Sequence, residues 1–251
     1  MIHKLKDRDA LILASSVLGL GLLLWLMALP LAALPEPIGP AAELFADGAL
    51  TTIQLTLCSG AFGLVLGVLA ALGKRSQLPP MRWLVDAYVW VIRGTPLMLQ
   101  ILFFFFALPA MVPQMQLSEF WTAVLALSLN VGAYNAEVIR AGINAVPTGQ
   151  IEAARSLGLS SLYTFWDIVL PQAVRISLPP LANNMVALLK DSSLAYVIGV
   201  VELTMIGNRV QAESFRPDIV LPTVGLVYLL LTTTFTQFAA ALERKLAVGK
   251  R

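Results

Sequence analysis

The 251-residue chain holds one cysteine, Cys58, and one histidine, His3. A disulfide framework is therefore excluded within the chain, as is a His/Cys metal site built from one copy. Cys58 lies in an apolar run and reads as packing. Charge is also scarce: 13% of residues are Asp, Glu, Lys or Arg, against about 25% in a typical soluble domain. Hydrophobic residues make up 58% and the mean hydropathy is +0.79. A soluble enzyme with so little polar surface is excluded. The net charge is only +2, and no basic stripe stands alone, so no nucleic-acid partner is expected. A phosphate loop is missing as well. Gly73-Lys74 is the nearest approach, but Val68 stands where the first glycine belongs. Arg75 replaces the Ser or Thr that would hold magnesium. The chain is not expected to hydrolyse ATP or to hold a cofactor of its own.

What is present is a series of long hydrophobic runs. Residues 10–29 are uncharged, and 20 residues of helix span about 30 Å, the thickness of a bilayer core. Further spans are expected over about 48–72, 84–108, 119–140, 177–200 and 219–241. The fold class is thus an all-α polytopic membrane protein of about six transmembrane helices. The first run also fits a signal peptide, but it is long for one and lacks a clear cleavage site. Residues 30–47 carry Pro30, Pro35, Pro37 and Pro40 and read as an extended external segment; residues 201–217 read as a polar external one. In the second run Gly63 and Gly67 make a small-residue face, with Thr52, Thr56 and Ser59 nearby, which lets membrane helices approach closely.

Charge orients the spans. With the N-terminus inside, the inner segments hold thirteen of the 17 cations, among them Lys4, Lys74, Arg140, Arg155 and Arg244. The outer segments hold Arg209 and Arg216. That is a strong positive-inside asymmetry. It puts both termini in the cytoplasm, together with a loop at 141–176.

Polar groups inside spans are expensive and mark interfaces or hydrated paths. The third span is broken by Arg93-Gly94-Thr95-Pro96, which fits either a kink with a snorkelling arginine or a functional element. The fourth carries Asn130, Tyr134, Asn135 and Glu137. In the fifth, residues seven apart differ by only about 20° around the helix. Asn183 therefore lies above Lys190 and Asn184 above Asp191, a stripe that cannot face lipid. A structural ion pair between Lys190 and Asp191 is the competing reading. Pro179 and Pro180 suit the first turn of that span.

The longest polar stretch, 147–171, reads PTGQIEAARSLGLSSLYTFWDIVLP. A connection of about 35 residues with its own helical pattern is long and usually functional. A short helix is expected over 151–157, with Gly158 as its left-handed stop. A second amphipathic helix carries Leu162, Phe165, Trp166 and Val169 and is expected to end at Pro171. From the residues alone the stretch also fits an ordinary amphipathic loop on the membrane surface.

Glu152-Ala153-Ala154, Gly158, Ile168, Leu170 and Pro171 match the EAA loop of ABC-transporter importer permeases at all seven fixed positions. The chain resembles in particular the polar amino-acid group of that family, the histidine/glutamine/arginine type. Gly48 to Thr56, the Arg93 tetrapeptide, Ala133 to Gly142, and Asn183 to Leu194 with its Lys-Asp-Ser-Ser-Leu carry that closer likeness. The resemblance covers about 48–245 and implies a five-helix permease core. Residues 1–47 are then an added N-terminal helix with an external Pro-rich segment, and 246–251 a cytoplasmic tail.

The resemblance implies the membrane-spanning subunit of an ATP-driven importer in a bacterial inner membrane. Glu152, Ala153, Ala154, Gly158, Leu170 and Pro171 would form the surface that couples to ATP-binding subunits. Two such subunits would hold ATP and magnesium. A second permease copy or a paralogue would sit alongside, and an extracytoplasmic binding protein would deliver a polar amino acid. A zwitterion needs an anion for its ammonium and donors for its carboxylate. Asp191 is the expected anion, on the strength of the resemblance. Lys190, Asn183 and Asn184 would supply donors or orient it, and Tyr134 and Glu137 would line the path. The alternatives are a secondary transporter driven by an ion gradient, or an ABC permease for another solute such as methionine or a metal.

Overall fold

The computed structural model describes residues 28–247, with side chains to residue 240. The expected first span, 10–29, lies almost wholly outside the described residues. All the regular structure described is helical. The helices are α1 (Ala42–Lys74), α2 (Pro79–Gly94), α3 (Leu97–Met111), α4 (Glu119–Asn144), α5 (Thr148–Ser156), α6 (Leu170–Asp191), α7 (Leu203–Ser214) and α8 (Pro217–Ala247). Among the described residues three helical stretches are long and apolar enough to cross a bilayer: Gly39–Lys74, Glu119–Asn144 and Pro217–Ala240. The pair α2 and α3 is apolar enough to make a further span or a re-entrant pair, bent by 111°.

The chain divides into two compact units. One comprises Met1–Ile53 and Val201–Val227. Its core holds Ile38, Phe45, Ala49, Ile53, Leu203, Ile206, Val210, Val220 and Val224, all buried. Gly48 meets Leu203 and Ile206, and Gly207 meets Val224, so bare backbone forms the contacts. Residues 201–217, expected as a polar external segment, instead contain the helix α7. Its apolar stripe Leu203, Ile206, Gly207 and Val210 follows helical spacing and is buried. Glu202 caps its start, accepting from the amides of Thr204 and Met205 at 2.8 and 2.9 Å.

The second unit comprises Gln54–Val200 and Tyr228–Arg251. Its centre is α4 packed on α6 and on α1. Gly63 sits against Val131 and Ser128, Gly67 against Asn135 and Ala136, and Gly142 against Ser177 and Ala173. The small-residue face expected on the second run thus packs against α4. Larger side chains there would force the helices apart, and membrane helices gain their cohesion from such close packing. Ala133 and Ala136 join Ala70, Val85, Val89 and Ile92 in one apolar cluster, which fastens α2 to the same helix.

Several boundaries differ from expectation. The second amphipathic helix of the polar stretch does not end at Pro171. The chain stays helical through residues 161–191, with a π turn at Thr164–Val169. Pro171 has no N–H to give to the carbonyl four residues back, and its ring would crowd that carbonyl in an ordinary α turn. The wider π turn just before it accommodates both. Pro179 and Pro180 lie inside α6 rather than in its first turn. The helix then tightens into a 3-10 segment, Ser192–Ile198, and stops at Gly199 with φ 91°. The four phenylalanines 103–106 lie in a second π turn, Phe103–Ala107, with Phe104 and Phe105 packed inward and Phe103 and Phe106 exposed.

Candidate functional site

The break between α2 and α3 begins with one missing donor. Pro96 follows Ile92 by four residues, so the Ile92 carbonyl has no backbone N–H in helical register. Thr95 turns extended, with φ −120° and ψ 148°, as a residue before proline prefers. The chain re-enters helix at Leu97 in a new direction. This corner, α4 and the end of α6 enclose a cavity of about 390 Å³, inside the second unit. Its wall is formed by Thr95, Pro96, Leu97, Asn130, Val131, Tyr134, Asn184, Ala187, Leu188, Asp191 and Leu194. Pockets of this size suit small ligands, and a few convergent polar groups set their orientation.

Three of the six path residues expected from the sequence meet here: Asp191, Asn184 and Tyr134. Asp191 is half-buried and is the only carboxylate in the wall. Asn184 Nδ2 donates to Asn135 Oδ1 at 2.9 Å, which ties α6 to α4 beside the cavity. Tyr134 carries Arg93 over its ring, with the guanidinium carbon 5.1 Å from the centroid. That stacking holds a cation against a cavity-lining aromatic, an attractive arrangement that strengthens with desolvation.

The other three are elsewhere. Lys190 is exposed and lines no part of the wall. Adjacent helical residues point about 100° apart, so only one of Lys190 and Asp191 faces inward. No salt bridge joins them among the described residues. Asn183, one position from Asn184, is turned out for the same reason. Glu137 also lies outside the wall. It sits in the C-terminal part of α4, where Lys74 Nζ reaches it at 2.6 Å and Arg140 Nη2 at 2.7 Å. Lys74 bridges further to Asp86 at 3.0 Å. Glu137 is therefore the hub of an ion cluster joining α1, α2 and α4. Its main partner is 63 residues away in the chain, so spacing gave no sign of it.

The 147–171 stretch forms a second exposed feature. Helix α5 ends in a Schellman closure: Leu159 N–H donates to Ala154 O at 3.1 Å and Gly158 N–H to Arg155 O at 3.0 Å. Gly158 has φ 80°, the left-handed stop expected of it. Ala154 is buried, and Ile143, Val146, Val169 and Ala173 form a buried apolar cluster that Ile151 and Phe165 also join. Glu152, Ala153 and Gly158 face outward, and Leu170 is half-buried with Pro171 exposed beside it. Leu157 at 83%, Leu162, Tyr163 and Trp166 make an exposed apolar patch on this polar connection. Patches of that kind mark protein or membrane contacts. Gln172 Nε2 donates to Gln150 Oε1 at 2.6 Å and to Ile168 O at 2.8 Å, which clamps α5 onto the start of α6.

Comparison with known proteins decides the family. The model of the "binding-protein-dependent transport system inner membrane component" family matches residues 63–248. The chain belongs to that family. It is 38% identical over 204 residues to the L-cystine transport system permease protein TcyB of Bacillus subtilis (strain 168), covering 81% of this chain and 86% of that protein. It is 38% identical over 207 residues to the arginine transport system permease protein ArtQ of the same organism, covering 82% and 94%. A solved amino acid ABC transporter with histidines superposes with a TM-score of 0.78 at 36% identity, covering 82% of this chain and 95% of that one. The chain is thus a multi-pass inner-membrane permease of the ABC importer type, and hydrolysis of ATP falls to separate subunits.

Two polar residues, one in the cavity wall and one bonded to it from behind, carry no assignment from the sequence. Asn130 was visible as a polar residue in a span but was not assigned to the path. Gln100 was not singled out at all. It is buried among LMLQILFFFF and had no periodic partner to announce it.

Proposed function

We propose that this permease carries a polar amino acid across the membrane through the cavity at the α2–α3 corner. The observation that carries the reading is the half-buried Asp191 in a wall that is otherwise neutral. An ammonium group entering a desolvated site needs such a partner. Arg93, held over the ring of Tyr134, supplies a cation for the substrate carboxylate. Relatives named for cystine and arginine, and a solved relative with histidines, support an amino acid over methionine or a metal ion.

Two ATP-binding subunits, each with ATP and magnesium, bind the surface formed by the exposed Glu152, Ala153 and Gly158, with the buried Ala154 seating the helix behind them. Leu170 and Pro171 continue that surface into α6. A second permease, identical or paralogous, completes the translocation path, and an extracytoplasmic binding protein delivers the substrate. Both chain termini lie in the cytoplasm, as the thirteen inner cations argue. Closure of the ATP-binding pair biases a two-state arrangement of the permeases.

Uptake by the purified complex in proteoliposomes tests this against an ion-driven carrier. Labelled L-arginine, L-histidine and L-cystine are supplied with the cognate binding protein. Uptake is expected to require ATP and to survive a proton ionophore. Uptake that runs on a proton gradient without ATP overturns the reading.

A further inference from the structure

One non-glycine residue among the described residues has a left-handed backbone: Phe215, with φ 55° and ψ 29°. It stands at the C-terminal stop of α7, where its N–H donates to Gln211 O at 2.9 Å. That position favours glycine or asparagine, because a Cβ crowds the following carbonyl. A bulky aromatic there is an outlier. Packing within the chain does not offset the strain, since the side chain is 84% exposed. The chain on both sides is tied down. Ser214 Oγ donates to Val210 O at 2.6 Å, and Arg216 donates to Asp218 from Nε and from Nη2, each at 3.0 Å. Pro217 then starts α8. A strained residue that the flanking structure holds in place marks a functional position.

The surroundings give the chemistry of a partner. Glu213 and Ser214, just before Phe215, line a groove of about 320 Å³ together with Glu36, Pro40, Leu44 and Val210, all inside the first unit. Residues 28–53 and 201–227 hold six acids, Glu36, Glu43, Asp47, Glu202, Glu213 and Asp218, against two cations, Arg209 and Arg216. The rest of the chain has the opposite balance, with the other 15 cations and nine acids. Glu36 and Glu213 are exposed and make no salt bridge among the described residues. The surface therefore suits a basic partner. An anionic lipid headgroup would be repelled, and a second copy of this chain would bring the same acids to a two-fold contact. We propose that Phe215 anchors a docking surface for the extracytoplasmic binding protein: the ring enters an apolar socket, and the groove takes a lysine or arginine of that protein. This rests on the delivery of substrate by such a protein, proposed above, and on the outward placement of these segments by charge. Aromatic anchors dominate binding at the centre of protein interfaces, while complementary charges steer the encounter. An anchor already fixed in place loses little freedom on docking.

The test is surface binding of the cognate binding protein, loaded with its amino acid, to the full complex in nanodiscs, read together with the Tm of the complex. Phe215→Gly removes the ring and the strain at once. It is expected to raise the Kd by at least about tenfold while the Tm stays level or rises. Phe215→Tyr, which keeps the ring, is expected to bind within about threefold of wild type. Glu36→Gln combined with Glu213→Gln is expected to weaken binding by at least about threefold at about 50 mM salt and by less at about 500 mM. Wild-type affinity in Phe215→Gly overturns the anchor. A Tm lowered by several degrees, or a complex that fails to assemble, also overturns it, because the ring then supports the fold. Loss of the second permease from the Phe215→Gly complex overturns it as well, since the surface then joins two permeases. Unchanged affinity in the double glutamine variant overturns the role of the groove. A wild-type complex that does not bind the binding protein at all overturns the delivery reading and the docking surface together.

Discussion

Two prolines remove the same hydrogen bond from this chain, with opposite results. At Pro96 the chain bends, and α2 and α3 diverge by 111°. At Pro171 it does not, and residues 161–191 remain one helical run. The difference lies in what compensates the lost bond. At Pro96 a glutamine side chain takes the orphaned carbonyl of Ile92, and the backbone is free to turn. At Pro171 the π turn Thr164–Val169 widens the helix ahead of the ring, and direction is kept. The first result builds a polar corner that lines the cavity. The second keeps one continuous helical run from the exposed Leu162, Tyr163 and Trp166 to Asp191. One proline makes a site and the other preserves a lever.

Among the changes that touch the two prolines and the helices around them, breaking the lever should have the largest effect. Val174 is exposed within α6, beyond the reach of the π turn. A proline in a helix interior costs about 3 kcal/mol or more, and Val174→Pro has no widened turn to absorb it. ATP-driven uptake in proteoliposomes is expected to fall by more than about tenfold while the ATP-binding subunits still co-purify, each 1.4 kcal/mol being a decade. Undiminished uptake would show that continuity of α6 is not what carries the motion.

Removing the bend comes next. Pro96→Ala returns a backbone N–H to the Ile92 carbonyl and competes with Gln100 for it. Substrate affinity, read by equilibrium binding, is expected to drop by about tenfold. Pro171→Ala should change uptake by less than about twofold, within the range of surface substitutions without a structural feature to lose. Equal effects at the two prolines would erase the contrast. Between these lies Gly158, whose φ of 80° and open surroundings leave backbone strain as the sole penalty. A left-handed conformation costs a residue with a Cβ roughly 1–2 kcal/mol. Gly158→Val should therefore weaken association with the ATP-binding subunits several-fold, measured by surface binding, and Gly158→Asn less, since asparagine tolerates this conformation.

The same contrast explains how much could be read from the residues. Gly158 was legible because an apolar helical face followed by glycine is a local signal. Asp191 and Asn184 were legible as one stripe because helical periodicity puts them on one face. Lys190 and Asn183 were assigned to the path with them, although a turn of about 100° separates neighbours, and rotation about the helix axis is set by packing alone. Glu137 was misplaced because Lys74 approaches from a different helix. Pro171 read as an end because the rule for proline in an α turn says nothing of a π turn. The helix α7 was hidden by its charged and amide residues, although Leu203, Ile206 and Val210 hold helical spacing. Gln100 left no trace at all: its role follows from a carbonyl eight residues earlier that only a bent chain exposes.

The central claim is that Asp191, at the corner made by Pro96, receives the substrate. The most direct measurement is uptake and ATP hydrolysis by one reconstituted complex carrying Asp191→Asn, a change that keeps size and removes charge. The complex is expected to assemble and to hydrolyse ATP, while uptake of the amino acid falls by at least about a hundredfold, the loss of roughly 3 kcal/mol that an unpaired buried ammonium implies. Uptake at the wild-type rate by that complex would contradict the account.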